Sequence, residues 1–80
     1  MLTESEKLAI LGKNIARARK MQDLSQCRLS EILNISREHL AKIETAKRGV
    51  SLSLLFRICD TLDVTESEIF KPHPVKQFNK

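Results

Sequence analysis

An all-α fold, a compact bundle of about five helices, is predicted by three observations. Apolar residues recur at spacings of three and four along most of the chain, the period of an amphipathic helix. The periodic stretches are preceded by Thr3, Ser25, Ser36, Ser51 and Thr65, residue types that cap helix N-termini. Material for sheets is scarce, with two Gly, two Pro, no Trp or Tyr and few β-branched runs. Hydrophobic residues make up 41% and charged residues 30% of the 80, which is the composition of a folded chain with an aliphatic core. A domain this small buries only about 60% of the surface its unfolded chain exposes, so its core is economical or is extended by a partner subunit.

Thr3-Glu4-Ser5-Glu6 has the S/T-x-x-E form of a capping box and opens the first helix. Leu8, Leu11, Ile15 and Ala18 follow on its inner side, with Ile10 widening the stripe. Gly12 weakens that helix by roughly 1 kcal/mol relative to Ala, which a position of close backbone approach would explain. Lys13, Arg17 and Lys20 share a basic face, and the pattern ends near Met21-Gln22-Asp23. Ser25 caps a short second helix with Leu29, Ile32 and Leu33 on its buried side. Asn34 follows, a residue that tolerates a left-handed turn. Ser36 caps the third helix, where Leu40 and Ile43 face inward, and residues 46–50 form a basic loop. Ser51 caps the fourth, whose expected apolar stripe is Leu52, Leu55, Phe56, Cys59 and Leu62. Thr65-Glu66-Ser67-Glu68 repeats the capping box and starts a last short turn ending at Ile69-Phe70. Pro72, Pro74 and the loss of apolar periodicity then predict a flexible basic tail over 71–80, leaving 1–70 as the domain.

The formal net charge is +4, unevenly spread. Residues 1–50 carry ten Lys/Arg against six Asp/Glu, whereas 51–70 carry Arg57 against Asp60, Asp63, Glu66 and Glu68. One basic and one acidic side would orient the protein towards a polyanion; the plain alternative is a solvated mixed-charge surface. Cys27 and Cys59 form no metal-ligand pattern and the two histidines lie far from them, so neither metal nor cofactor is expected. No apolar run of about 18 residues and no signal-peptide layout is present, which predicts a cytoplasmic protein without membrane contact and with reduced thiols. Cys59 falls on an apolar stripe; Cys27 lies near a helix start, where thiolate formation is favoured. No Gly-rich phosphate loop or convergent nucleophile, base and acid is legible, so the chain is not expected to be an enzyme.

The stretch from Leu24 to Glu44, with Ser25-Gln26, the small Ser30, Asn34 at the turn and Leu40-Ala41-Lys42-Ile43-Glu44, resembles the phage repressor/Cro-like (xenobiotic-response-element type) helix-turn-helix family. Upstream, Leu11-Gly12-Lys13-Asn14-Ile15 with Arg17 and Arg19 is similar to that family's first helix, and Leu54-Leu55 through Val64 to its fourth. The resemblance covers about residues 10–70, with the motif at 25–44. The family usually has Ala in place of Ser30, and Gly in place of both Asn34 and Ala46. The resemblance implies a lambda-repressor-like DNA-binding domain and a transcriptional regulator, a repressor or autoregulator of double-stranded DNA. An antitoxin or protein-interaction module on the same fold, with a partner such as a toxin, is the alternative.

In a helix-turn-helix the second motif helix enters the major groove and its N-terminal residues reach base edges. Here that helix is 36–44, which makes Arg37, Glu38, His39 and Lys42 the base-contact candidates. Arg37 suits the O6 and N7 acceptors of guanine, and Glu38 the amino group of cytosine. A solvated polar face is the alternative reading of these residues, more so for His39. Gln26 and Ser36 at helix starts, Lys47 and Arg48 in the loop, and Lys13 and Arg17 on the first helix are the phosphate candidates. By resemblance, Gln26 also braces the start of the recognition helix, and Arg19 and Glu44 form an internal ion pair. One recognition helix spans too few base pairs for a specific site, so a homodimer on a pseudo-palindromic operator is expected. Its interface is expected within 51–70, with Leu54 and Phe70 as contacts.

Overall fold

The computed structural model describes residues 1–73. The expected tail over 71–80 therefore lies mostly outside the described residues. Five helices follow in order: α1 Glu4–Met21, α2 Gln26–Leu33, α3 Arg37–Glu44, α4 Leu52–Leu62 and α5 Glu66–Ile69. No strand occurs among the described residues, so the fold is the all-helical bundle that the spacing predicts. α1 packs against α3, α4 and α5, while α2 packs against α3 and α4. No helix of the described residues is long and apolar enough to cross a membrane.

Each helix begins where a side-chain oxygen meets an orphan N–H. Thr3, Ser25, Ser36, Ser51 and Thr65 all sit in extended backbone and accept from the N–H three residues on. Both capping boxes close, with Glu6 accepting from the Thr3 N–H at 2.8 Å and Glu68 from the Thr65 N–H at 2.9 Å. The latter bond, together with the Thr65 hydroxyl contact, holds the Glu68 carboxyl below its ordinary pKa.

The helix ends repeat one device without glycine. After α1, α2, α3 and α4 comes a residue in the left-handed region: Asp23, Asn34, Ala46 and Asp63. The next N–H then reaches back five residues, Leu24 to Arg19, Ile35 to Ser30, Lys47 to Lys42 and Val64 to Cys59. This satisfies the last carbonyls of each helix in Schellman fashion. Asn and Asp tolerate that conformation through local hydrogen bonding, but Ala does not. Ala46→Gly relieves about 1–2 kcal/mol of left-handed strain at φ 63° and adds back about 0.5–1 kcal/mol of unfolded-state entropy. The expected net gain is about 0.5–1 kcal/mol, read as a melting temperature roughly 3–6 °C higher. An unchanged or lower temperature contradicts this account of the turn.

The core is aliphatic: Leu11 and Ile15 from α1, Leu29 and Leu33 from α2, Leu40 and Ile43 from α3, Leu54, Leu55, Ile58, Cys59 and Leu62 from α4, and Ile69 from α5. Two expected stripes are rotated. On α4, at about 100° per residue, the face centred on Leu55, Ile58 and Leu62 takes in Leu54 and Cys59 and leaves Leu52 and Phe56 outside. Leu54, expected at a dimer contact, is 5% exposed and belongs to the core. Leu52 and Phe56, expected inside, are 69% and 49% exposed. On α2, Leu29, Ser30 and Leu33 form the inner face, and Ile32, expected with them, is 44% exposed. Phe70 is exposed, as its expected role requires.

Candidate nucleic-acid interface

α3 is held from behind and free in front. Leu40 and Ile43 fix its inner face in the core, and its last turn lies against the backbone of α1 at Gly12. A Cβ on Gly12 would fall 2.5 Å from the Glu44 carbonyl oxygen and 2.6 Å from that of Ile43. The glycine therefore sits where two helices touch backbone to backbone, the close approach its position in α1 predicts.

A polar network fastens the same end. Arg19 donates from Nε to Glu44 Oε2 at 2.8 Å, from Nη2 to Oε1 at 3.1 Å and from Nη1 to the Leu24 carbonyl at 2.8 Å. Gln26 adds a bond from Nε2 to Glu44 Oε1 at 2.9 Å. The Arg19 and Glu44 side chains are only 9% and 5% exposed. Gln26, expected to brace the start of the recognition helix, grips the far end instead, because Glu44 presents the acceptor there. Residues from α1, α2 and α3 thus meet at one carboxylate.

At the other end, Arg37 and Glu38 are exposed and His39 is half-buried, and Lys42, one turn further along, is exposed as well. Glu38 Oε2 lies 3.5 Å from Lys42 Nζ one turn on, a solvated pair worth a few tenths of a kcal/mol and easily opened. The Ser36 hydroxyl accepts from the His39 N–H at 3.0 Å, so it is engaged as a cap. Lys47 and Arg48 are exposed in the loop after α3. Lys13 and Arg17 are exposed on α1, where they join Ala16, Lys20 and Met21 along a shallow groove that reaches Glu44. Arg28, an exposed cation in the first turn of α2, pairs with Glu31 at 3.4 Å; its place two residues after Gln26 was the available signal for it.

On α4, α5 and the turn between them Asp60, Asp63, Glu66 and Glu68 are all exposed. Burial pushes the Cys59 thiol up, and the carboxylates of Glu66 and Asp60 push it further. It is a protonated core group. Cys27 is exposed on α2. Among the described residues no three His, Cys, Asp or Glu side chains come together to hold a metal.

Three cross-ties escape any motif. Asn14, buried in α1, donates to the carbonyls of Ile69 at 2.7 Å and Lys71 at 2.9 Å. Gln22 donates to the Leu62 carbonyl at 2.6 Å, and Arg57 to that of Leu33 at 2.6 Å. Each satisfies a carbonyl at a helix end that the helix itself leaves open.

The family described as Helix-turn-helix matches residues 15–69. The chain is 37% identical over 60 residues to the antitoxin PezA of Streptococcus pneumoniae, a match covering 75% of this chain and 38% of PezA, so it spans well under half of that relative. It is similar in structure to the restriction-modification controller protein C.AhdI from Aeromonas hydrophila, with a TM-score of 0.73 and 27% identity over 79% of this chain and 96% of the other. The hypothetical transcription factor NHTF from Neisseria gives a TM-score of 0.78 over 90% of this chain and 83% of the other; at 21% identity that likeness concerns the fold alone.

Proposed function

This chain belongs to the Helix-turn-helix family, and from that premise we propose that it is a sequence-specific regulator of transcription, a repressor or autoregulator, reading double-stranded DNA with α3 in the major groove. The observation that carries the reading is the asymmetry of α3. Its C-terminal end is fixed by Gly12 and the Arg19–Glu44–Gln26 network, while its first turn offers Arg37 and Glu38 to solvent, with Lys42 exposed one turn on from Glu38. A rigid helix with free polar side chains at its leading end is what base readout requires.

Arg37, Glu38, Lys42 and the half-buried His39 contact base edges. Lys47 and Arg48, with Gln26, Ser36, Lys13 and Arg17, hold phosphates, and the acidic flank of α4 and α5 stays away from the polyanion. The working form is a homodimer on a pseudo-palindromic operator. No catalytic step, cofactor or membrane enters this reading. The likeness to PezA favours a second reading in which the chain is an antitoxin and a toxin is a partner beside DNA.

Selection of bound fragments from a randomised duplex library tests the assignment. Arg37→Ala is expected to lose discrimination at one or two base pairs per half-site, worth roughly 1–3 kcal/mol. Lys47→Ala weakens binding to all sequences alike and flattens the logarithmic salt slope by about one. Uniform loss in both variants would make the division of roles wrong. Absence of salt-dependent DNA binding by the wild type, with capture of a protein partner, would favour the interaction-module alternative.

A further inference from the structure

We infer that the cleft between α1 and the chain leaving α5 binds a small amphipathic carboxylate, a monoanion with an apolar body and one N–H or O–H donor. The cleft has a volume of about 290 Å³, at the lower edge of the range for small-molecule sites. At roughly 30 Å³ for each water displaced, that is room for a molecule of about ten or a few more non-hydrogen atoms. Its floor is apolar: Ala18 and Met21 from α1, Val64 before α5 and Ile69 at its end. Met21 is 78% exposed, so a ligand seated here covers apolar surface that the fold leaves in water.

The rim selects the charge. Arg17 of α1 and Lys71 beyond α5 both line the cleft, and neither has a carboxylate within salt-bridge distance among the described residues. His73 adds an imidazole beside them. The one acid of the lining, Glu68, is turned to its own helix start, where it accepts from the Thr65 N–H at 2.9 Å. An anion is therefore favoured over a neutral molecule or a cation. A bare phosphate has nothing to set against the apolar floor, whereas a carboxylate on an apolar body answers both halves of the site. The stretch after His73 holds Lys76 and Lys80 and no acid, so its charge has the wrong sign for the same rim.

Asn14 adds a directional group. It lines the cleft and is 6% exposed. Its Nδ2 donates both hydrogens, to the carbonyls of Ile69 at 2.7 Å and Lys71 at 2.9 Å. The two acceptors also fix which arm of the amide is the oxygen. That Oδ1 accepts from no donor among the described residues, although a buried polar atom ordinarily has a partner. A ligand N–H or O–H lying over the floor completes it. The same two bonds draw the chain after α5 onto α1, so Asn14 also builds the wall that carries Lys71.

Titration of the isotope-labelled full-length protein with indole-3-acetate, followed by amide chemical shifts at constant pH and salt, tests the site. This probe carries a carboxylate, an aromatic body and one ring N–H. Indole-3-acetamide removes its charge, tryptamine reverses it, and 1-naphthaleneacetate removes the ring N–H. The acid is expected to saturate with a Kd of about 0.1–1 mM, as befits so small a ligand in an open cleft. Its shifts centre on Ala18, Val64, Ile69 and Lys71. The acetamide and 1-naphthaleneacetate bind about threefold more weakly or worse, and tryptamine does not saturate. Arg17→Gln and Met21→Glu, both at exposed positions, keep the wild-type fold and weaken the acid by about fivefold or more. Absence of saturable shifts below about 5 mM acid, or shifts centred elsewhere, overturns the inference. Equal affinity for acid, amide and amine, or wild-type affinity in both variants, overturns it as well. Equal affinity for the two acids removes Asn14 Oδ1 from the site.

Discussion

Gly12→Ala is expected to lower stability by about 2–4 kcal/mol, although the same change in a free helix would raise it. Ala exceeds Gly by roughly 1 kcal/mol in helix propensity, so a destabilised variant isolates the tertiary contact. The new methyl carbon would lie 2.5–2.8 Å from the carbonyl groups of Ile43 and Glu44, all of it backbone. A side chain at that distance could turn aside; the last turn of α3 cannot, since its inner residues are locked in the core. The two helices must part by most of an ångström, which loosens Leu11 and Ile15 against Leu40 and Ile43. Dispersion contacts fall steeply over such a gap, and overpacking against rigid surroundings takes the upper part of its usual range. For a domain of this size the loss corresponds to a melting temperature roughly 10–20 °C lower. A thermal melt decides it: an unchanged or raised temperature would mean that α1 and α3 do not meet at Gly12.

The N-terminus of every helix was legible because a cap is local: one hydroxyl and the N–H three residues on. Asn34 could be read as a left-handed turn from its own side chain. Asp23 and Asp63 could not, since aspartate is as common at helix starts and on solvated faces. Ala46 gave no signal in its own side chain, only in standing where the resembled family usually has Gly; its conformation goes with the bond from the Lys47 N–H back to the Lys42 carbonyl. The spacing of apolar residues located α4 but not its rotation. Leu52, Leu54, Leu55, Phe56, Ile58, Cys59 and Leu62 are compatible with two faces, and α1, α2 and α5, not the sequence of α4, select one. The meeting of Arg19 with Glu44 came from resemblance. The grip of Gln26 on the same carboxylate depends on where three separate helices converge, which no single segment encodes. The same holds for Asn14, Gln22 and Arg57, whose acceptors are carbonyls 24–57 residues away.

Glu44→Ala is expected to be as damaging as the glycine change, at about 3–5 kcal/mol, for an electrostatic reason. Its two oxygens accept three hydrogen bonds, two from Arg19 and one from Gln26, in a setting that leaves the carboxylate side chain 5% exposed. Removing it strands a guanidinium that keeps only the Leu24 carbonyl, in a site where water cannot fully replace the lost partner. Most of the effect is thus the penalty of an orphaned charge, not the net worth of the pair. Exchange of both residues for a matched apolar couple, Arg19→Met with Glu44→Leu, separates the two quantities. The double variant has no charge to strand, and its expected loss is well under that of Glu44→Ala even though it changes more atoms. Denaturant midpoints at constant m-value measure the difference. Equal losses would assign the stability to the pair itself, and a negligible loss in Glu44→Ala would show that the site is open to water. The two variants should also part from the wild type on DNA. At a temperature where both are folded, the apolar couple keeps the end of α3 packed but loses the carboxylate that Gln26 holds. Discrimination should then fall in both, because the lateral tie between α2 and α3 is gone in each. The network would thereby be a device for orienting the reading helix, with its contribution to stability the smaller part.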